Sequence, residues 1–504
     1  MGQTVPVRAR LWSNRLTMTA ELPRQAFLRG ALGAAAAVAL GACQATGAGT
    51  PAAPPRAPTP DWETFAAQIA GTVTLPTDAR FDGAKAVFNS RFDGSVPIAV
   101  LAAAAVDDVQ KAATFASANG IELTVRAGGH SYVGASSASA TMVVDLRRLP
   151  GAVTYDPATG LSTVPAATAI SAVQQTLGGY GRSIPTGSCP SVGIGGLTLG
   201  GGLGADARQH GLTCDALVSA SVVLPDGTVV TASPRDDADL FWALRGGGGD
   251  TWGIVTSFTF RTFATTDRDV VTLVFPESAA ARMILGWHDW LTAASRAVWG
   301  MVNITVGPDP TRCSVVLATP PGQGPSLATG LIGAIGVPPV SNTHRTLDHT
   351  AFVDYFSGGA DAVRPRAFVA GSDVIGDMTP AAAQSIVAAT QAWPRDTVSA
   401  TAVIESLDGA IGDVAPDGSA FPWRRHAANV QWYVEPPSPP ILNAANDWLT
   451  AAHVAVGADS AGGYVNYLEA SAPAQRYFGA NLLRLATLRR RYDPGALMYS
   501  PLDF

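Results

Sequence analysis

Apolar and polar positions along this chain recur with two periods, and the points where the period changes mark the elements. Residues 97–101 are a short apolar run that reads as a buried strand. Between residues 106 and 119, Val109, Ala112, Ala113 and Ala116 fall at helical spacing, Asp107 and Asp108 occupy the first turn, and Gly120 supplies the stop. Residues 121–125 and 142–145 read as further strands. Residues 97–127 therefore form a βαβ unit, whose second strand delivers Arg126 to His130 from its carboxyl end, where such units bind ligands. Residues 217–233 split into two strands at Asp226-Gly227, a hairpin turn. A short helix over 239–245 is broken by Gly246 to Gly249, and an alternating strand follows over 253–260. Beyond about residue 265, strands alternate with longer helices such as 278–294 and 380–392. An amphipathic helix over 482–491 closes the chain and stops at Asp493-Pro494.

The 504 residues exceed what one core needs, and 47% hydrophobic against 14% charged residues excludes a disordered chain. A net charge of −6 with no basic run argues against a nucleic-acid partner. Residues 1–43 read as an export signal: Arg24 to Arg29 precede an apolar stretch from Ala31 to Ala42 that is too short to span a bilayer. Gln25 stands where a twin-arginine signal would place its second arginine. Leu40-Gly-Ala-Cys43 is similar to a bacterial lipobox, so Cys43 is either a lipidated cysteine or the neighbour of an ordinary cleavage site. An exported protein is expected, whether periplasmic, extracellular or lipid-anchored at the membrane. Residues 44–60 are a Pro/Ala-rich linker. Cys214 and Cys313 lie on apolar stretches and read as buried thiols, and no Cys/His cluster has zinc spacing, so no metal is expected.

Candidate chemistry concentrates on two glycine-rich loops. His130 lies in Arg126-Ala-Gly-Gly-His-Ser131, where Gly128 and Gly129 free main-chain amides to face a pyrophosphate. Cys189 lies in Gly187-Ser-Cys-Pro-Ser-Val-Gly-Ile-Gly-Gly196, at the head of a glycine run that reaches residue 204. Gly200, Gly202 and Ala205 reproduce a relaxed dinucleotide-binding spacing, but without its strand-to-helix context. A cradle whose amides meet a phosphate or a flat ring is the better reading. Taken alone, His130 fits a satisfied loop histidine and Cys189 a thiol on a constrained loop.

The ordered runs around them change that. Both strings, followed by Gly211-Leu-Thr-Cys-Asp215, residues 239–247, residues 252–256, Asn466-Tyr467, Tyr477-Phe-Gly-Ala-Asn481 and Tyr492-Asp-Pro494, resemble the berberine-bridge-enzyme-like branch of the vanillyl-alcohol-oxidase flavoprotein family over roughly residues 61–504. The resemblance implies an α+β protein: a two-part PCMH-type FAD-binding domain (61–265, completed by 456–504) and a substrate domain (266–455) built on an antiparallel sheet flanked by helices. It implies FAD held twice, by an 8α-histidyl link at His130 and a 6-S-cysteinyl link at Cys189. Arg126, Gly128, Gly129, Ser131, Val192, Gly195, Gly196, Ile254 and Asn481 complete the expected cofactor set. Two links withdraw electron density from the ring and free the protein from covering it, which allows an open groove for a small molecule or oligosaccharide.

The expected reaction takes hydride from an alcohol or sugar hemiacetal to flavin N5 and reduces O2 to H2O2. Val192 occupies the position where the family's small residue is associated with oxygen access, and Leu203 replaces a tyrosine of some antibiotic-tailoring members. The alternatives are a dehydrogenase with a non-oxygen acceptor, or a flavin-loaded binding lipoprotein with little turnover. The resemblance places the catalytic base at Tyr467. A phenol titrates near 10 and needs help to act as a base, so Arg424 is the expected cationic partner, with Glu405 as a second acid/base candidate. Trp423 stands where the family's usual histidine would be.

Overall fold

A computed structural model describes residues 60–504, apart from 250, 359, 436, 437 and 471. The expected export signal and nearly all of the linker lie outside the described residues.

The first part of the body holds two sheets. Strands β1 (Thr72–Thr74), β2 (Ala99–Ala102), β3 (Leu123–Arg126) and β4 (Met142–Asp145) form one, in the order β1-β2-β4-β3. β2 and β3 both run parallel to β4, so the βαβ crossover leaves room for a third strand between its two ends. The crossover helix spans Val106–Asn119, and Gly120 ends it at φ 62°, a left-handed cap open to glycine at little cost. Strands β5 (Thr154–Asp156) and β6 (Leu161–Pro165) begin the second sheet. After β7 (Arg182–Ser183) it continues with β8 (Leu217–Val223), β9 (Val229–Ala232) and β10 (Ile254–Arg261), in the antiparallel order β5-β6-β10-β8-β9. β7 pairs separately with β11 (Phe263–Ala264). One core joins both sheets: the helix face of Val109, Ala112 and Ala116 meets Leu123, Val144, Ala220 and Val222. Leu485 and Leu488 of the closing helix, Leu482–Tyr492, enter the same core.

Residues beyond 267 build one antiparallel sheet of eight strands. These are β12 (Arg268–Phe275), β13 (Trp299–Val306), β14 (Arg312–Thr319), β15 (Ser341–Leu347), β16 (Val369–Ile375), β17 (Ala400–Ser406), β18 (Ala428–Val434) and β19 (Ser460–Gly462), ordered β15-β12-β14-β13-β17-β18-β16-β19. Alternation divides its central strands. Ala400, Ala402 and Ile404 of β17 and Val430, Trp432 and Val434 of β18 join a core with the helices Ala280–Ala293, Gly324–Ile335, Pro380–Gln391 and Pro439–Val456. The intervening residues face the other way.

The last 49 positions of the expected partition do not return wholly to the first part, because β19 pairs with β16 at the edge of the large sheet. A buried charge network pins it there. His453 Nδ1 lies 2.7 Å from Asp373 and its Nε2 2.6 Å from Glu469, while Arg476 reaches Asp373 at 2.9 Å. Burial alone would lower the His453 pKa, but the two carboxylates override it and hold it up at about 9. Cys214 and Cys313 are free, buried thiols.

Candidate active site

The carboxyl ends of β3 and β4, the glycine loops and the bare face of the large sheet enclose a cavity of about 590 Å3, inside the roughly 300–1,000 Å3 usual for small-molecule and cofactor sites. His130, Cys189 and Val192 line one wall, with Gly128, Gly129, Ser131, Gly195 and Gly196. Thr401, Val403, Glu405, Gln431 and Tyr433 line the opposite one, as the period-2 alternation of β17 and β18 requires. Tyr467 enters from the final segment.

The first wall is main chain pressed on main chain. A Cβ added at Gly128 would stand 2.2 Å from Gly193 N, and one added at Gly193 would stand 2.4 Å from Gly128 N. No substituent fits at either position, so the histidine loop and the cysteine loop lie against each other. Gly196 and Gly249 line the cavity with nothing within 4 Å of their missing side chains, which leaves open main chain for a ligand. Gly200, Gly202 and Gly204 serve otherwise than expected: their Cβ positions are filled by Asn466, Thr213 and the Thr186 carbonyl. That half of the glycine run is packed by protein, not by a phosphate. Gly202 N and Asn466 Nδ2 both donate to the Tyr464 hydroxyl at 2.8 Å, which fastens the segment carrying Tyr467 onto the run.

Burial pulls the His130 pKa down to about 4, so the ring is neutral at neutral pH. Its plane stacks on Phe88 with centroids 3.9 Å apart, and Ser191 Oγ lies 3.0 Å from its Nε2. Burial pushes the Cys189 thiol up, opposed by a hydrogen bond from the Ser191 side chain, the Ser191 and Val192 amides, and the charge of Arg366.

Across the cavity, Tyr467 stacks on Tyr132 with centroids 5.2 Å apart and planes 13° from parallel. The Tyr132 hydroxyl accepts a 2.6 Å hydrogen bond from Gln431 Nε2. Tyr467 shares a hydrogen bond with Glu405, and burial pushes the Glu405 carboxyl up to about 7. Burial, together with the adjoining Glu405 charge, pushes the Tyr467 phenol well above its ordinary value. Opposite Glu405 in the β17–β18 register stands Asn429, buried, with neither side-chain amide atom bonded to any described residue.

Four expected site residues lie elsewhere. Arg424 is not beside Tyr467: its guanidinium is fully buried against Asp215 in a two-pronged pair of 2.6 and 2.8 Å, with Ser419 at 2.6 Å. Among the described residues the groups around the phenol are Glu405, its hydrogen-bonded partner, and Tyr132 and Tyr464, with no cation. Arg126, the last residue of β3, is fully buried, paired with Asp145 at 2.8 Å and donating to the Ala84 carbonyl, and so braces the loop that carries His130. Asn481 donates to the carbonyls of Pro416 and Ser419 at 2.9 and 3.2 Å and holds that loop, not a ligand. The Ile254 side chain points into the core, while its neighbours Gly253 and Val255 line the cavity. Sequence reading passed over Tyr132, Ser191, Gln431 and Tyr433. Tyr132 directly follows the histidine string, Ser191 sits inside the cysteine string, and the last two are the polar alternates of the otherwise apolar central part of β18. Among the described residues no cluster of three or more His, Cys, Asp or Glu could hold a metal ion.

A two-part α+β body, a glycine-walled cavity and two nucleophiles facing into it define a flavoprotein oxidoreductase. Comparison with known proteins agrees. Residues 97–233 match the FAD binding domain model and residues 463–501 the model described as berberine and berberine like. The uncharacterised FAD-linked oxidoreductase YgaK of Bacillus subtilis is 27% identical over 398 residues, 77% of this chain and 86% of that protein. Xylooligosaccharide oxidase of Thermothelomyces thermophilus is 37% identical over 211 residues, 40% of this chain and 42% of its own length, so this match covers less than half of that enzyme. Among solved structures, glucooligosaccharide oxidase from Acremonium strictum superposes with a TM-score of 0.78 over 88% of this chain and 99% of that one, at 21% identity, which establishes the shared fold. The chain therefore carries an FAD binding domain and a berberine-like C-terminal segment, and is an oxidoreductase.

Proposed function

We propose that this protein is an FAD-dependent oxidase with its flavin attached at both His130 and Cys189, acting on the hemiacetal carbon of a sugar or oligosaccharide and yielding H2O2. The observation that carries the proposal is the presence of both nucleophiles in one glycine wall, facing Tyr467 and Glu405 across a single cavity. The residues fit the cofactor. Open main chain at Gly196 and Gly249 suits a flat ring or phosphate, and His130 is kept neutral and therefore nucleophilic. The solved glucooligosaccharide oxidase is described as carrying 6-S-cysteinyl, 8α-N1-histidyl FAD, and the Thermothelomyces relative is named for xylooligosaccharides. Both support the substrate class, and the first supports the double link.

Bound FAD supplies the two-electron acceptor and passes the electrons to O2. The chain's own part is to hold the substrate and take its proton. Tyr467 Oη accepts the proton of the reacting hydroxyl while its own proton passes to the Glu405 carboxylate through their shared hydrogen bond. That relay needs no phenolate, which the buried site could not hold. Glu405 is suited to it because burial places its pKa near neutrality. Tyr132, held by Gln431 and stacked on Tyr467, fixes the phenol plane and presents a hydroxyl to the substrate. Val192 keeps the wall beside Cys189 small, in keeping with access for O2.

Acid precipitation tests the double link: protein that stays yellow and weighs one FAD more than the chain supports it, and free flavin in the supernatant overturns it. Peroxide release on a panel of mono- and oligosaccharides tests the reaction. Flavin reduction by a sugar without peroxide would make the protein a dehydrogenase.

A further inference from the structure

One side chain that neither motif reading assigns a role, Ser191, contacts His130 and lies two residues after Cys189. Gly128 and Gly193 bring the two loops into main-chain contact. A turn closed by Val192 N donating to the Cys189 carbonyl at 3.3 Å then sets Ser191 beside the cysteine. From there Ser191 Oγ reaches His130 Nε2 at 3.0 Å. A serine hydroxyl has one proton and two lone pairs, so it accepts one hydrogen bond while donating another.

We propose that Ser191 prepares both links, its hydroxyl accepting from His130 Nε2–H while donating to the sulfur of Cys189. This rests on the bicovalent reading above. Accepting from Nε2–H fixes the imidazole tautomer whose lone pair is on Nδ1, the nitrogen free to attack. The Phe88 stack holds that ring in plane. At the other loop, burial works against the thiolate, and the Ser191 hydroxyl is the foremost group that favours it. Each attachment replaces a C–H of the flavin by C–N or C–S. The nucleophile and the carbon each give up a proton, two electrons pass into the flavin, and dioxygen takes both protons and both electrons as hydrogen peroxide.

The test is the full chain carrying Ser191→Ala, alone and combined with Cys189→Ala or His130→Ala so that one link is read at a time. Intact mass follows the fraction of chains one FAD heavier during incubation with FAD in air, and acid-released flavin measures non-covalent loading. Loss of a positioned proton-handling group slows a step by roughly 10²–10⁴-fold, so both single-link backgrounds should gain FAD about a hundredfold more slowly while still binding releasable flavin. Ser191→Thr, which keeps the hydroxyl, should restore the rate. Attachment at the normal rate in Ser191→Ala, or slowing in only one background, overturns the shared role. If Ser191→Ala binds no flavin at all, the threonine variant decides: normal attachment supports the role and failed attachment overturns it. Wild-type protein that releases all its flavin to acid would overturn the bicovalent reading itself, a result distinct from every outcome above.

Discussion

The two walls of the cavity are made in opposite ways. The wall carrying His130 and Cys189 is largely main chain, and Gly128 and Gly193 are fixed in it because a Cβ added to either would stand 2.2 or 2.4 Å from the other's amide nitrogen. The wall carrying Glu405, Gln431 and Tyr433 consists of alternate side chains on two neighbouring strands whose backbone would accept many residues. One wall can only hold a flat group at close range. The other can be rewritten without disturbing the fold. Attachment should therefore depend on the first wall, and proton transfer and substrate choice on the second.

The sharpest way to break this division is Tyr467→Phe. The hydroxyl proposed to receive the substrate proton is lost while both nucleophiles and their glycines remain. Sugar-driven flavin reduction, followed by stopped-flow absorbance, should slow by about 10²–10⁴-fold with the covalent mass unchanged. Reduction at the normal rate would remove Tyr467 from the chemistry, and a lost link would join the two walls into one unit. Glu405→Gln should follow at about 10²-fold, with a further signature. In the proposed relay Glu405 must be ionised to take the proton, and its pKa is pushed up to about 7. Turnover of the unaltered protein therefore rises as pH rises through about 7, and the glutamine variant should lose that limb. A limb retained in Glu405→Gln would assign it to another group.

The same contrast explains what the sequence made legible. Steric demands leave a residue type behind, so the crossover helix over 106–119, its Gly120 stop, both loop strings and the hairpin at Asp226-Gly227 could be read from the chain alone. Glu405 was placed as a candidate, but its bond to Tyr467 comes from strand register, and register leaves no local trace in sequence. Gln431 and Tyr433 are ordinary polar alternates until β18 is known to lie beside β17. Arg424 shows the reverse error. A cation near the motifs looked like a partner for the phenol, yet Asp215, 209 positions earlier in the chain, claims it. A buried guanidinium goes to the carboxylate that pays its desolvation, and pairing at that separation cannot be inferred from spacing.

Arg424→Leu sharpens the point by separating structure from chemistry. Removing one partner of a buried pair strands the other charge at a cost of about 3–5 kcal/mol. Denaturant unfolding should show that loss, while folded protein at low temperature keeps its covalent flavin and the pH limb of Glu405. A limb displaced in this variant would return Arg424 to the site electrostatically.

The smallest effect belongs to Asn429. It faces Glu405 across the strand pair with both amide atoms unbonded, so it contributes polarity to the neighbourhood of a carboxyl already raised by burial. Asn429→Leu keeps the volume and removes the dipole. Ionised Glu405 then becomes harder to form, and the pH at which turnover rises should move upward by less than about one unit, each unit being worth 1.36 kcal/mol. The direction matters more than the size. An upward shift means that the second wall tunes its own base through side chains outside the cavity lining. A downward shift would mean that the amide opposes the carboxylate, and that part of the rise to about 7 comes from Asn429.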